Sequence, residues 1–384
     1  MFARLTNRKF SSVLLKRTDN QALELAKYAK NFLDHGKPSE ETMERTKLFH
    51  TDAILCGISA LALRTNAPSV LKNEALQYQI KGSGLSSSAK GYSRCLGSKG
   101  LTITEKAICS VAAAVREWDS NGTVFGYRDG HGIQFQAGEF GHNDFYGVSV
   151  AAAHENDQIN GNLALKSMLL SDEIRGRLAE VFSLKTYKID HVVHGAIASA
   201  VTYGTLMGAS FEQIESAIGM TVAHYIPWRA IRAGKQLSDS KGSSAAITTE
   251  AAILSMRRSM MGFVGPKDIF RNPEAIFRQF EPTKGDESPF DIMLGMEGDN
   301  FSVNGMHFKL GLYEHQSAGA IEGVLKLILE QKFLKHGDFD QIANINIVAY
   351  EPAFGIIGDP AKKNPTTRQS ADHSMCFISN PPNP

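Results

Sequence analysis

The stretch Val193–Ala209, VHGAIASAVTYGTLMGA, decides the fold class. It contains no acidic residue, lysine or arginine, and its small residues alternate with apolar ones, which is typical of a helix within a large helix assembly. It ends near Gly208, and glycine commonly stops a helix. Ser210-Phe-Glu-Gln213 then matches the S-x-x-Q capping box of a following helix. The pattern therefore predicts two consecutive, closely packed helices.

Two further segments have the same helical character. Ala245–Gly262 is apolar, rich in small residues, and ends at a glycine. Met43–Leu63 is dense in alanine, so neighbouring helices can approach it closely. Its apolar residues also recur at helical spacing, at Leu48, Ile54, Leu55 and Ile58. We therefore predict a large all-helical domain and a mainly α fold.

The pattern changes after Gly265-Pro266. Asn304-Gly305 is a strong hairpin turn, and apolar residues alternate with polar ones on both sides of it. A helix with one apolar face follows, and Asn344–Ala349 then has the alternation of a half-buried strand. We therefore predict a helical domain over residues 21–283 and a smaller α+β domain over 284–384. The residues that alternate around the predicted turn are Phe301, Val303, Met306, Phe308, Leu310 and Leu312.

The composition excludes several classes of protein. With 42% hydrophobic and 21% charged residues, the 384-residue chain has the balance of a soluble globular protein. A net charge of +1 does not indicate a nucleic-acid or membrane partner, and no apolar run is long enough to span a bilayer. The four cysteines are too far apart to indicate a disulfide framework, a zinc ribbon or an iron–sulfur site.

The first twenty residues have an unusual composition. They carry five lysines and arginines and two adjacent serines, with no acidic residue before Asp19. This composition is typical of a mitochondrial transit peptide, so we predict a location in the mitochondrial matrix. The alternative is a disordered basic N-terminus.

Two groups of residues are candidates for acid–base chemistry. Asp119, Thr123 and His142 lie in segments joined by a glycine-rich loop, which can bring a carboxylate, a hydroxyl and an imidazole together. His191 follows Asp190, and a histidine beside a carboxylate can serve as a general acid or base. His194 lies three residues further on, but no further metal ligand is spaced to join the pair, so we predict a packed His194 rather than a metal site.

Lysines and a histidine in two further segments are candidates for substrate binding. Lys235 and Lys241 lie in a loop rich in glycine and serine before an apolar helix, a position suited to carboxylate binding. Lys309 interrupts the alternation of the predicted strand, and His315 lies at the start of the next helix, where it can equally be a cap residue.

These segments, in this order, resemble the MmgE/PrpD family, and within it the fungal-type 2-methylcitrate dehydratases. The resemblance covers about Ala22 to Met375. The matching strings are REWDSNGT (116–123), GEFGHND (138–144), DHVV (190–193), SDSKGSSAA (238–246), GFVGPKDIF (262–270), FKLGLYEHQS (308–317) and ADHSM (371–375).

The resemblance implies a large helical domain, a smaller α+β lid, an active site between them, a homodimer, and no required metal or organic cofactor. It implies catalytic roles for Asp119, His142 and His191, although Gly122 stands where the family has a second aspartate. It also implies substrate-binding roles for Thr123, Lys309 and His315. The substrate-binding lysine of the helical domain is Lys235 or Lys241, and Lys241 is preferred.

The activity implied is dehydration of 2-methylcitrate, a small tricarboxylate, to 2-methyl-cis-aconitate in propionate degradation. This reaction needs a base for the C–H proton, an acid for the leaving hydroxyl, and cations for the carboxylates. The alternative within the family is decarboxylation of cis-aconitate. A second alternative is an impaired, truncated product, because relatives continue past ADHSM whereas this sequence ends in CFISNPPNP.

Overall fold

The computed structural model describes residues 11–80, 89–124, 141–232, 236–330 and 342–379. These residues divide into two compact units. The first comprises the described parts of Met1–Glu117, Asn121–Arg229 and Ser243–Phe308. The second comprises those of Trp118–Ser120, Ala230–Gly242 and Lys309–Pro384. The predicted domain boundary at residues 283 and 284 stays a prediction.

Helices dominate both units, which confirms the predicted mainly α fold. The α-helices of the described residues are α1 (Gln21–His35), α2 (Glu40–Ala62), α3 (Asn66–Gln77), α4 (Thr104–Arg116), α5 (Gly147–Glu155), α6 (Gly161–Val181), α7 (Val192–Leu206), α8 (Phe211–His224), α9 (Asp239–Gly242), α10 (Ser244–Met260), α11 (Ile276–Phe280), α12 (Ala318–Glu330), α13 (Glu351–Ile357), α14 (Arg368–Ala371) and α15 (Met375–Ile378). Short 3-10 helices span His142–Phe145, Leu184–Tyr187, Arg229–Arg232, Ser302–Gly305, His315–Ser317 and Pro360–Lys362.

Helix α7 lies at the centre of the first unit. Of its fifteen residues, Thr205 alone is not buried. Helix α7 packs against α6, α8 and α10, and α10 also packs against α4 and α8. Gly204 permits this close packing, since a Cβ at that position would lie 2.6 Å from Met256 Sδ. The charge-free sequence quoted at the start therefore forms the central helix of the assembly.

The predicted helix boundaries after α7 and α10 are confirmed by backbone geometry. Gly208 and Gly262 adopt φ values of +75° and +97°, in the left-handed region that favours glycine. The capping box that begins α8 is also confirmed: Ser210 Oγ accepts from Gln213 N, and Gln213 Oε1 accepts from Ser210 N.

Helix α2 forms as predicted, but its apolar stripe does not face the core. Leu48, Leu55 and Ile58 are 48%, 61% and 51% exposed. The helix packs against α4 through smaller residues, and Gly57 lies against Val115 of that helix. Small side chains allow close helix approach, so alanine and glycine form the buried face of α2 while the larger residues are exposed.

Three two-stranded sheets complete the described part of the first unit. Ser12–Leu15 (β1) pairs antiparallel with Ile292–Gly295 (β5), and Leu15 is buried in the core. The segment 12–15 thus belongs to the folded unit, although it lies within the predicted transit peptide, whose removal stays a prediction. The remaining pairs are Lys37–Pro38 (β2) with Glu297–Gly298 (β6), parallel, and Tyr92–Arg94 (β3) with Leu101–Ile103 (β4), antiparallel.

The predicted hairpin around Asn304-Gly305 is wrong. Ser302–Gly305 forms a 3-10 helix, and Asn304 Nδ2 donates to Asp299 O and Thr42 Oγ1. The apolar residues before this turn are buried in the core. Leu310, after the turn, is 91% exposed, so it does not lie on the buried face of a strand. The alternation of apolar residues matched the pattern of a strand, but the segment does not form the predicted hairpin.

The predicted strand at Asn344–Ala349 is also wrong. The segment 342–350 has no regular secondary structure, and Val348 is 94% exposed. The predicted α+β range 284–384 contains the short strands β5 and β6 together with α12 to α15 and short 3-10 helices. A small apolar cluster of Ala353, Ile357 and Met375 joins α13 to α15.

No single described helix has the length and apolar composition needed to cross a membrane, although the bent pair α2 and α3 meets those criteria together.

Candidate active site

Asp119 lies at the centre of a buried ionic cluster in the second unit. Its Oδ1 is 2.7 Å from Lys241 Nζ, and its Oδ2 is 3.2 Å from Lys309 Nζ. The backbone of Asp119 has a φ of +54°, a conformation that few non-glycine residues adopt but that aspartate tolerates better than most. Unusual backbone geometry of this kind often occurs at functional sites.

Hydrogen bonds from α14 hold the segment that carries Lys241. Leu237 N donates to Ser370 Oγ over 2.7 Å, and Leu237 O accepts from Thr367 Oγ1 over 2.7 Å. Gln369 Nε2 donates to Asp239 Oδ1 over 2.9 Å. Lys241 was predicted in a loop before an apolar helix; it lies instead in the short helix α9, directly before α10 in the sequence.

Both lysines of the cluster are buried. Their side chains, 5% and 3% exposed, converge on a single carboxylate. Ammonium groups bind carboxylates through charge-assisted hydrogen bonds, so two lysines brought together in this way can also contact a carboxylate of a ligand. A small molecule that carries several carboxylates fits such a site.

The structure adds His373, which was not among the predicted site residues. Its Nε2 lies 4.0 Å from Asp119 Oδ2, and its Nδ1 lies 3.0 Å from Asp372 Oδ1. Burial lowers the pKa of His373, and the positive charge of Lys241 lowers it further. The only signal in the sequence was the ADHSM string, which contains this Asp-His pair.

His315 begins a 3-10 helix of the second unit, and its Nδ1 lies 2.6 Å from Glu314 Oε1. The pKa of Glu314 is lowered: burial acts to raise it, but the hydrogen bond and positive charge of His315 outweigh that effect. The prediction of His315 as a substrate ligand stays a prediction.

His142 forms a separate buried network in the first unit. Its Nδ1 lies 3.0 Å from Asp172 Oδ1, and the Tyr146 hydroxyl donates to the other oxygen of Asp172. Its Nε2 is buried without a hydrogen-bond partner in the part of the chain that the structure describes. A carboxylate on Nδ1 favours a proton there, which leaves Nε2 as an acceptor and makes His142 competent as a base.

The same network explains why residue 122 is a glycine. A Cβ at this position would overlap Nε2 and Cδ2 of His142, and it would approach Phe49 Cε1 to 3.2 Å. The His142 ring therefore occupies the space that a side chain at Gly122 would need. This packing leaves no room for a side chain at residue 122.

Replacing Gly122 with alanine is expected to lower the free energy of unfolding by about 1–3 kcal/mol, because the new methyl group must displace the buried His142 ring. Urea unfolding measures the change. Gly161→Ala is the matched control, since a Cβ there meets no atom within 4 Å. Equal stability of the two variants would contradict the packing.

Thr123, His191 and His194 also lie in the first unit. The Thr123 hydroxyl is buried and has no hydrogen-bond partner among the described residues. His191 is buried, with Nε2 3.9 Å from Asp190 Oδ1. His194 is completely buried; burial lowers its pKa to about 3, and Arg175 contributes. The prediction of a packed His194 is confirmed.

Of the predicted site residues, the structure brings Asp119, Lys241 and Lys309 into direct contact. Lys235 lies outside the described residues. Among the described residues, no group of three or more histidine, cysteine, aspartate or glutamate side chains is arranged to hold a metal ion.

A family model for the MmgE/PrpD N-terminal domain matches residues 23–288. A search of curated proteins found no match.

Proposed function

Because this chain belongs to the MmgE/PrpD family, a family that includes 2-methylcitrate dehydratases, we propose that it removes water from 2-methylcitrate to give 2-methyl-cis-aconitate. The observation that carries the proposal is the contact of two buried lysines with Asp119. A tricarboxylate brings three negative charges, and Lys241 and Lys309 supply two neighbouring cations for its carboxylates.

The lysines contribute to both binding and chemistry. Removing a proton from the carbon beside a carboxylate places additional negative charge on that carboxylate in the transition state. Lys241 and Lys309 are held in a site with little access to water, where an ammonium stabilises such charge more strongly than it does in bulk water. Asp119 keeps both ammonium groups in place before substrate arrives.

The residues also supply the proton donor that dehydration requires. A hydroxyl group leaves readily only when it receives a proton as its C–O bond breaks. An ammonium of the Asp119 cluster can donate that proton at close range. The predicted roles of His142, His191 and Thr123 in the first unit remain part of the proposal.

Turnover by the purified chain tests the function. With 2-methylcitrate, we expect water elimination, detected as the rise in ultraviolet absorbance of the new C=C bond conjugated to a carboxylate. A parallel assay with cis-aconitate measures release of carbon dioxide. Carbon dioxide release from cis-aconitate, without reaction of 2-methylcitrate, would replace the dehydratase proposal with a decarboxylase.

We further propose a homodimer, from the family resemblance, and a mitochondrial matrix location, from the composition of residues 1–20. Size-exclusion chromatography tests the first. Imaging of the fluorescently tagged chain tests the second, with a variant in which Arg4, Arg8 and Lys9 are replaced by glutamine as its control.

A further inference from the structure

His373 belongs to a chain of hydrogen-bonding groups that ends at the Asp119 cluster. Asp372 Oδ2 accepts from Arg368 Nη1 over 2.7 Å, and Asp372 Oδ1 lies 3.0 Å from His373 Nδ1. The opposite nitrogen of the ring, Nε2, lies 4.0 Å from Asp119 Oδ2. The imidazole therefore connects an arginine-bound carboxylate to the carboxylate that both lysines contact.

The contacts determine which nitrogen of His373 carries a proton. Asp372 is bound by Arg368 and acts as an acceptor, so Nδ1 of His373 is the donor of their hydrogen bond. In the neutral ring, Nε2 then has an available lone pair. A carboxylate that fixes the tautomer and stabilises the resulting imidazolium is the arrangement that lets histidine act as a base in other enzymes.

Charges on all sides of His373 act on its protonation. Lys241 on α9 favours the neutral ring, together with burial, whereas Asp119 and Asp372 favour the protonated ring. Glu314, from the segment before the 3-10 helix His315–Ser317, also interacts with His373. Burial and Lys241 dominate, so the pKa of His373 is below its ordinary value and the ring is neutral at pH 7.

We propose that His373 is the base that removes the carbon-bound proton in the dehydration proposed above. This inference rests on that proposed function. Nε2 takes the proton, and the electron pair of the C–H bond forms the C=C bond. The C–O bond breaks, and hydroxide leaves with a proton from the ammonium of Lys241 or Lys309 as water. The imidazolium then returns its proton to the lysine, so the enzyme is unchanged.

The variant His373→Gln tests the role directly. It keeps a polar side chain of similar size but has no basic nitrogen. We expect kcat for 2-methylcitrate to fall at least about a hundredfold, as for loss of a general base, with KM nearly unchanged because the lysines still bind the carboxylates. A thermal melt like that of the wild type shows that the variant is folded. A near-normal kcat would overturn the inference.

Asp372→Asn gives a second measurement, which a purely structural role would not affect. The amide oxygen can still accept from Nδ1, but the charge that favours the imidazolium is gone. The wild-type kcat/KM should fall with acid, with a midpoint below about pH 6.5. The midpoint should move to lower pH in Asp372→Asn. If the midpoint of the fall in kcat/KM lies at the same pH in Asp372→Asn as in the wild type, the inference is contradicted.

Failure of the inference is distinguishable from failure of the proposed function. If the wild-type chain does not react with 2-methylcitrate, both proposals are overturned. If the wild type reacts and His373→Gln reacts equally fast, the dehydratase proposal stands and only the role of His373 is overturned.

Discussion

Replacing Lys309 with methionine is expected to lower kcat/KM for 2-methylcitrate about 10³-fold, the loss typical of removing one group that stabilises charge in the transition state. Lys309 Nζ lies 3.2 Å from Asp119 Oδ2, and the side chain is 3% exposed. Methionine has a similar length and apolar stem, so it fills the same volume without the charge. The effect therefore reports on electrostatics rather than on packing.

Stability should change little in Lys309→Met. In the wild type two ammonium groups share one carboxylate, so removing one leaves Asp119 paired with Lys241. A substitution that removes the only partner of a buried charge is strongly destabilising, but Asp119 keeps a cationic partner in Lys309→Met. Urea unfolding measured beside kinetics separates the two effects.

Lys362→Met is the matched control for Lys309→Met. Lys362 is also a buried lysine of the second unit, but its Nζ donates to Ile356 O over 2.5 Å rather than to Asp119. Its kcat/KM should stay within about threefold of the wild type, less than 1 kcal/mol of transition-state free energy. Equal losses in both variants would show that any buried lysine matters, and the cation site would then be disproved.

The central helices were predictable because complete burial leaves a clear pattern in the sequence. Helix α7 has no acidic residue, lysine or arginine, and it ends near a glycine whose positive φ matches the role of a helix stop. The hairpin was not predictable, since apolar residues around Asn304 reach the core through a 3-10 helix. Periodicity reports which residues are apolar, but tertiary contacts decide whether a strand finds a partner.

The candidate site was predictable only in part. Asp119, Lys241 and Lys309 were predicted because short strings around them match the family in order, and the structure joins them. The role of His373 depends on contacts between segments more than 100 residues apart in the sequence, which no local pattern encodes. The adjacent residue Asp372 can be read from the sequence. Only the folded chain shows that Nε2 of His373, opposite the Nδ1 that faces Asp372, lies toward Asp119.

Replacing Asp119 with asparagine is expected to lower the free energy of unfolding by about 3–5 kcal/mol, the cost of breaking a buried ion pair by removing one partner. Asparagine has the same shape and also tolerates the positive φ of Asp119, so the backbone is not strained further. The change removes only the negative charge that both Lys241 Nζ and Lys309 Nζ contact.

A bound polycarboxylate should reverse much of this loss. Propane-1,2,3-tricarboxylate has three carboxylates but no hydroxyl to eliminate, so it binds without reacting. In the wild type it competes with Asp119 for the lysines, whereas in Asp119→Asn it supplies the missing charge. Ligand binding to the folded state raises the melting temperature, and the rise should be larger in the variant.

Asp359→Asn provides the control for this experiment. Asp359 Oδ1 accepts from Ala361 N at the start of a 3-10 helix of the second unit, and asparagine caps equally well. Its stability and its response to the tricarboxylate should match those of the wild type. If the tricarboxylate raises the melting temperature of all three proteins equally, it binds elsewhere, and the Asp119 cluster is not the substrate site. A larger rise confined to Asp119→Asn would tie the two lysines directly to carboxylate binding.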